Sequence, residues 1–212
     1  MAKRRVEREQ FRPRAQSFRP RQVGGRAEKR RSLVVCGGET EEWYFLKFRA
    51  IVRPVNLRVC TNGVDPQTLV RWAKSIKQRE EINGDFDAVW CVFDRDDFGS
   101  RYEQAHEDAM EVGFSVAASN PCFELWFVLH FRQMQQSITT AECCRLWEKT
   151  LGRPYSKTDS SLFEKLQPLQ HKAVKHANAL LEQQEKPSHN ALCSPSTTVH
   201  KLIADLAANG ER

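Results

Sequence analysis

Apolar and polar residues form alternating blocks along residues 32–131, and the lengths of the blocks predict strands and helices in turn. Four apolar runs have the length of strands: residues 32–36, 57–60, 88–93 and 114–118. The segments that follow them have the composition of helices: residues 42–52, the stretch opened by Asp65-Pro66 and broken by Asn83-Gly84, then 102–112 and 123–131. This alternation predicts an α/β protein with a mostly parallel sheet flanked by helices.

The run at residues 88–93 is continuously apolar and bounded by acids, which is typical of a central strand covered on both faces. Beyond residue 131 the strand pattern stops. Four further helices are predicted there, at residues 141–150, 162–166, 172–183 and 197–207. We expect this half to form a helical layer packed on the sheet or a small helical subdomain. The predicted organisation is therefore a tail at 1–31, an α/β core at 32–131 and a helical region at 132–212.

The first 31 residues are strongly basic, whereas the rest of the chain is slightly acidic. They contain twelve Lys or Arg against three Glu, whereas the rest of the chain has 21 basic and 24 acidic residues. Their lack of periodicity and scarcity of apolar residues predict a disordered tail. Arg12, Arg14, Arg19 and Arg21 lie in two Phe-Arg-Pro-Arg repeats and can neutralise the phosphates of a nucleic acid. The alternative is a solubilising arm.

No apolar run approaches the roughly 18 residues that span a bilayer, and the N-terminal segment is too rich in arginine for a signal peptide. We therefore expect a cytoplasmic protein without a membrane partner. The seven cysteines include no pair at a zinc-ligand spacing. Reduced, structural cysteines are the interpretation that this pattern favours.

Acidic residues follow the predicted central strand. Asp94 and Asp96 point to the same side of an extended segment, and Asp97 can join them, while Arg95 faces elsewhere or pairs with one of the acids. Residues at the carboxyl end of a parallel strand face the crevice where α/β proteins bind ligands. The three acids are then candidate ligands of Mg²⁺ or Mn²⁺. The alternative is that they form a turn and cap the next helix.

Two further segments carry candidate acids. Glu39 and Glu41 follow Gly37-Gly38 after the first strand, where they can complete a metal site or complement the dipole of the helix. The same glycine turn can instead bind an anion, although the chain has no Gly-Lys-Ser/Thr motif. Glu124 begins an otherwise apolar helix, so it is either a partner of the helix dipole or a buried carboxylate that requires a cation or hydrogen-bond donors.

Taken in order, several segments resemble the RloB-like family. The matching segments are residues 34–36, 40–41, 44–45, 93–97, 119–126, 129–131, 155–157 and 194–200. The resemblance covers about residues 32–206 and implies a Toprim-like fold. It also implies metal-dependent phosphodiester chemistry, with Asp94, Asp96, Asp97 and Glu124 as ligands of Mg²⁺ or Mn²⁺. Lys157, in one of the matching segments, is then expected to bind nucleic acid together with the tail arginines.

The resemblance further implies a companion ATPase of the ABC/AAA type and a role in antiviral defence by abortive infection. The implied activity is that of a nuclease on DNA or RNA, and an oligomeric assembly is compatible with it. One position departs from the family pattern, because Gly37 stands where the family has the glutamate that acts as general acid or base. Glu39 or Glu41 can take that role. The alternative function is a nucleic-acid-binding adaptor or sensor that cleaves poorly.

Overall fold

The computed structural model describes residues 30–51, 56–80, 82, 84–95, 98–157, 159, 161–184 and 195–210. The predicted disorder of the tail therefore lies outside the described residues, apart from Arg30 and Arg31. Within the described ranges, the strands are β1 (Arg31–Cys36), β2 (Asn56–Thr61), β3 (Ala88–Asp94), β4 (Ser115–Asn120) and β5 (Ser196–Thr197). The α-helices are α1 (Glu39–Ile51), α2 (Pro66–Glu80), α3 (Ser100–Glu111), α4 (Glu124–Leu129), α5 (Thr140–Leu151), α6 (Ser161–Leu166), α7 (Gln170–Gln184) and α8 (Val199–Gly210).

The strands form one sheet in the order β2-β1-β3-β4-β5. The first four strands are parallel, and β5 pairs antiparallel with β4 at the edge. The predicted α/β class with a mostly parallel sheet is therefore confirmed. The chain moves outward from β1 in one direction to β2 and in the other direction to β3. The point between β1 and β3 is thus the topological switch point, where open α/β sheets place their ligand crevice.

Both faces of the sheet are covered, as the continuous apolar run of β3 predicts. Val89, Cys91 and Phe93 pack with residues of α2 and α3 on one face. Trp90 and Val92, which alternate with them, pack with residues of α1 and α4 on the other. This alternation follows from the two-residue period of a strand, and it makes β3 the centre of both hydrophobic cores.

The C-terminal helices belong to the second of these cores. Trp147 of α5, Phe163 of α6, Ala177 of α7 and Leu202 of α8 lie in the same cluster as Trp90 of β3. The helical half therefore forms a layer on the sheet. None of the helices in the described part of the chain is both long and apolar enough to cross a membrane.

Two boundaries of the observed elements differ from those that the sequence pattern predicts. Thr197 was predicted to begin the last helix, which is wrong: it belongs to β5, and α8 begins at Val199. Arg31 begins β1 rather than ending the tail, and the Arg30 guanidinium lies 2.7 Å from the carboxylate of Asp205 in α8. The folded body therefore begins slightly before the first apolar residue, because backbone pairing and an ion pair hold these two arginines.

Candidate functional site

A cleft of about 420 Å³ lies at the carboxyl edge of the parallel sheet. Its walls come from the segments that follow each of the four parallel strands, together with the start of α5 and a loop after it. The lining residues are Gly37, Gly38, Thr40, Glu41, Gly63, Val64, Asp65, Pro66, Phe93, Asp94, Phe98, Cys122, Phe123, Glu124, Thr140, Cys144 and Lys157. The backbone amide of Gly37 donates to the carbonyl of Val92 at 2.8 Å, so the β1 and β3 walls meet at the switch point.

Asp94 is the last residue of the central strand β3 and lines the cleft. Its Oδ2 accepts a hydrogen bond of 2.9 Å from the backbone amide of Phe123. This bond joins the end of β3 to the turn that begins α4, and it fixes the orientation of the carboxylate. Arg95 does not line the cleft, and it forms an ion pair of 3.7 Å with Glu103 of α3.

Glu41 lies in the first turn of α1 and is buried, whereas Glu39 is exposed and does not line the cleft. Gly38 makes room for the Glu41 carboxylate, since a Cβ at Gly38 would stand 2.7 Å from Oε2 of Glu41. Burial, and then the charge of Glu41, raises the pKa of the Cys36 thiol at the end of β1. The structure therefore places Glu41, of the two glutamates considered, at the cleft.

Glu124 occupies the first turn of α4, a helix whose six residues are all buried. Its side chain is 7% exposed and faces the cleft from the β4 side. Burial, and then the charge of Glu124, raises the pKa of the Tyr155 hydroxyl. A carboxylate held this deeply requires donors or a cation, because desolvation of an isolated charge costs several kcal/mol.

The cleft is strongly acidic. Asp65 also lines it, caps α2 by accepting from the Thr68 amide at 3.3 Å, and has a pKa held below its usual range by hydrogen bonds from Thr68. Burial, with the charge of Asp94 second, raises the pKa of Tyr102 to about 12. Carboxylates from four separate segments of the chain therefore supply oxygen donors of the kind that Mg²⁺ and Mn²⁺ prefer.

Comparison with protein families identifies the family of the chain. A family model described as RloB-like protein matches residues 32–206. The chain belongs to the RloB-like protein family. Searches of curated proteins and of solved structures find no match. In this RloB-like chain, the segments that carried the resemblance in the sequence supply Glu41, Asp94, Glu124 and Lys157 to a single cleft.

The remaining predicted site residues of the RloB-like chain divide into two groups. Asp96 and Asp97 lie outside the described residues, and so do Arg12, Arg14, Arg19 and Arg21. Lys157 is described, exposed and at the mouth of the cleft. Its loop is anchored two residues earlier by Tyr155, whose ring packs 6.4 Å from that of Phe127 and 6.3 Å from that of Trp147, measured between centroids.

Sequence reasoning did not place Asp65, Thr140, Cys122 or Cys144 at the cleft of this RloB-like chain. Asp65 was predicted only to open a helix, although it follows a parallel strand and so belongs to the same sheet edge. Cys122 and Cys144 are 22 positions apart and lie on different elements, so no local spacing indicates that they meet. One donor atom from each, with one from Glu124, lies within 4.8 Å of the others.

Proposed function

We propose that this RloB-like protein is the metal-dependent nuclease subunit of a two-component anti-phage system, gated by a companion ATPase. The observation that carries the proposal is that Glu41, Asp94 and Glu124 line one cleft at the switch point of the sheet. Their oxygens match the donor preference of Mg²⁺ and Mn²⁺. Nucleic acid, as DNA or RNA, is the substrate class.

The roles follow from position. Asp94 and Glu124 hold the cation, together with Asp96 and Asp97, which follow Asp94 in the sequence. When bound, Mg²⁺ or Mn²⁺ stabilises the charge on the attacking and leaving oxygens of an in-line displacement. Glu41 exchanges a proton with the attacking or leaving group, taking over from the glutamate that the family pattern places at Gly37. Lys157 and the tail arginines contact phosphates and orient the strand.

The test is a cleavage assay on labelled DNA and RNA with Mg²⁺ or Mn²⁺, with and without the proposed companion ATPase. We expect Asp94→Asn and Glu41→Gln each to lower the cleavage rate by at least about 100-fold, since loss of a cation ligand or of the proton-transfer group costs several kcal/mol. Glu39→Gln compares the other candidate glutamate directly. Asp85→Asn, an exposed carboxylate outside the cleft, is the matched control. Full cleavage by Asp94→Asn would contradict the proposal.

Gly37 favours a second candidate, an adaptor that binds nucleic acid but cleaves it poorly. The two candidates separate in a Gly37→Glu variant. A Cβ at Gly37 would lie 3.5 Å from the Val92 carbonyl oxygen and 3.6 Å from Leu69 Cδ1, which are ordinary contacts. The position therefore accepts a side chain.

If the cation site is complete and only proton transfer is weak, Gly37→Glu is expected to raise the cleavage rate by about 100-fold. Gly37→Gln keeps the size of the side chain and removes its acidity, so it serves as the control. Equal rates for Gly37→Glu, Gly37→Gln and the natural chain, all near background, would favour the adaptor.

A further inference from the structure

The wall of the cleft formed by α4 and α5 carries a cluster of two cysteine thiols and one carboxylate. Cys122 lies in the turn before α4, Glu124 in its first turn, and Cys144 in the first half of α5. Each offers one donor atom, and the three atoms lie within 4.8 Å of one another. Cys122 and Glu124 are 2% and 7% exposed, and Cys144 is half-buried. Two buried groups and a more accessible one are therefore already assembled without a disulfide.

This donor set suits a softer metal than Mg²⁺. Two thiolates and a carboxylate are ligands that Zn²⁺ accepts, whereas Mg²⁺ avoids sulfur. Bonds of about 2.0–2.3 Å in a tetrahedron place donor atoms roughly 3.5–3.8 Å apart. Because all three residues also line the cleft, a fourth position would open toward it.

We propose that Cys122, Glu124 and Cys144 form a zinc site in the wall of the cleft, with a water molecule or a cleft ligand as the fourth donor. The site joins the start of α4 to α5. It goes beyond the proposed nuclease activity and shares one ligand, Glu124, with the proposed Mg²⁺ or Mn²⁺ site. Lys157 at the same cleft offsets the single net negative charge of Zn²⁺ with two thiolates and one carboxylate.

The experiment uses the reduced full-length protein, stripped of metal and titrated with Co²⁺ as a spectroscopic probe. We expect one equivalent of Co²⁺ to produce a thiolate-to-cobalt charge-transfer band and the visible bands of a tetrahedral site, and Zn²⁺ to abolish them. Cys144→Ser and Cys122→Ser should lose the charge-transfer band or most of its intensity. Since loss of a supporting partner alone weakens metal binding by about 10- to 100-fold, loss of a ligand should weaken zinc binding by more than about 100-fold.

Cys60→Ser is the matched control, because Cys60 is a half-buried thiol on β2 away from the cleft. Unchanged spectra in Cys144→Ser and Cys122→Ser, or an equal loss in Cys60→Ser, would overturn the zinc site. Cys144 is half-buried, so its serine variant should fold even if Cys122→Ser does not, and circular dichroism checks both. Asp94→Asn should keep the thiolate band, so failure of the zinc site and failure of the nuclease proposal give different results.

Discussion

His130 is a fully buried histidine at the end of α4, and its surroundings keep it neutral. Its Nδ1 lies 2.8 Å from the Trp126 carbonyl oxygen, which can only accept, so Nδ1 carries the proton. Its Nε2 is buried and has no hydrogen-bond partner among the residues that the structure describes. Burial lowers the pKa of His130 from 6.5 to about 4, and nearby His176 contributes in the same direction.

A pH-dependent stability follows from this pKa. The unfolded chain binds the proton more tightly than the folded chain, so acidification favours unfolding. The contribution of His130 is fully present above about pH 6.5 and is lost as the pH falls toward about 4, to a total of about 3 kcal/mol. Urea unfolding at several pH values in this window should show a shallower pH dependence for His130→Gln than for the natural chain.

His171→Gln is the control for that measurement, since His171 is exposed on α7. It should leave the pH dependence of the unfolding free energy unchanged. Parallel pH profiles for His130→Gln and the natural chain would show that His130 titrates normally in the folded protein.

At the scale of single residues, sequence alone predicted the acids that directly follow strands. Asp94 and Glu124 lie where the rule on the carboxyl ends of parallel strands put them. The sequence could not decide between Glu39 and Glu41, because both lie within one turn of α1. Only the rotation of the helix about its axis decides which of them faces the cleft. The meeting of Cys122 and Cys144 depends on how α5 packs on α4, which no local pattern encodes.

At the scale of elements, hydroxyl groups add to the backbone pairing that holds β5 and Thr198 at the sheet edge. The Thr198 amide donates to the Ala118 carbonyl at 2.9 Å, and the Thr198 Oγ1 accepts from the Ala118 amide at 2.9 Å. Ser119 Oγ and Thr197 Oγ1 are 3.1 Å apart and buried. The Ser-Thr-Thr segment therefore closes the edge of β4 with side chains as well as backbone.

Replacing Thr198 by valine removes the hydroxyl that accepts from the Ala118 amide, while the shape of the side chain is kept. The buried Ala118 amide would lose its acceptor, and an unsatisfied donor of this kind costs about 1–3 kcal/mol. We expect Thr198→Val to lower the free energy of unfolding by that amount in urea titrations. Thr150→Val is the control, because the Thr150 hydroxyl only donates 2.8 Å to a carbonyl of its own helix, that of Leu146. Equal losses in the two variants would contradict the edge-closing role.

The sequence pattern predicted the helices and the four parallel strands to within a few residues, because their apolar runs are long. It missed β5, since two polar residues carry no strand periodicity and their pairing is fixed by tertiary contact with β4. Leu46 and Ile51, two of the apolar residues of α1, are 37% and 51% exposed. The density of apolar residues in α1 exceeds what one face of the helix can bury.

At the scale of the whole molecule, the site exists because every parallel strand ends at the same edge. The strand order moves outward on both sides of the β1–β3 junction, and the crevice there collects side chains from loops far apart in sequence. The C-terminal helices complete the cleft by adding α5 and the Lys157 loop. The order of the elements along the chain was enough to predict the edge of the sheet at which the site lies. That the helical half also lines the cleft could be seen only in the folded structure.

The central claim is that the cleft acids bind a hard divalent cation. Its most direct test is a titration of the metal-free full-length protein with Mn²⁺, in which the free ion is followed by electron paramagnetic resonance. We predict that Mn²⁺ bound by the natural chain and by Asp85→Asn is lost in Asp94→Asn, with all three proteins folded by circular dichroism. Equal Mn²⁺ binding by Asp94→Asn and the natural chain, or no binding by the natural chain, would contradict the account.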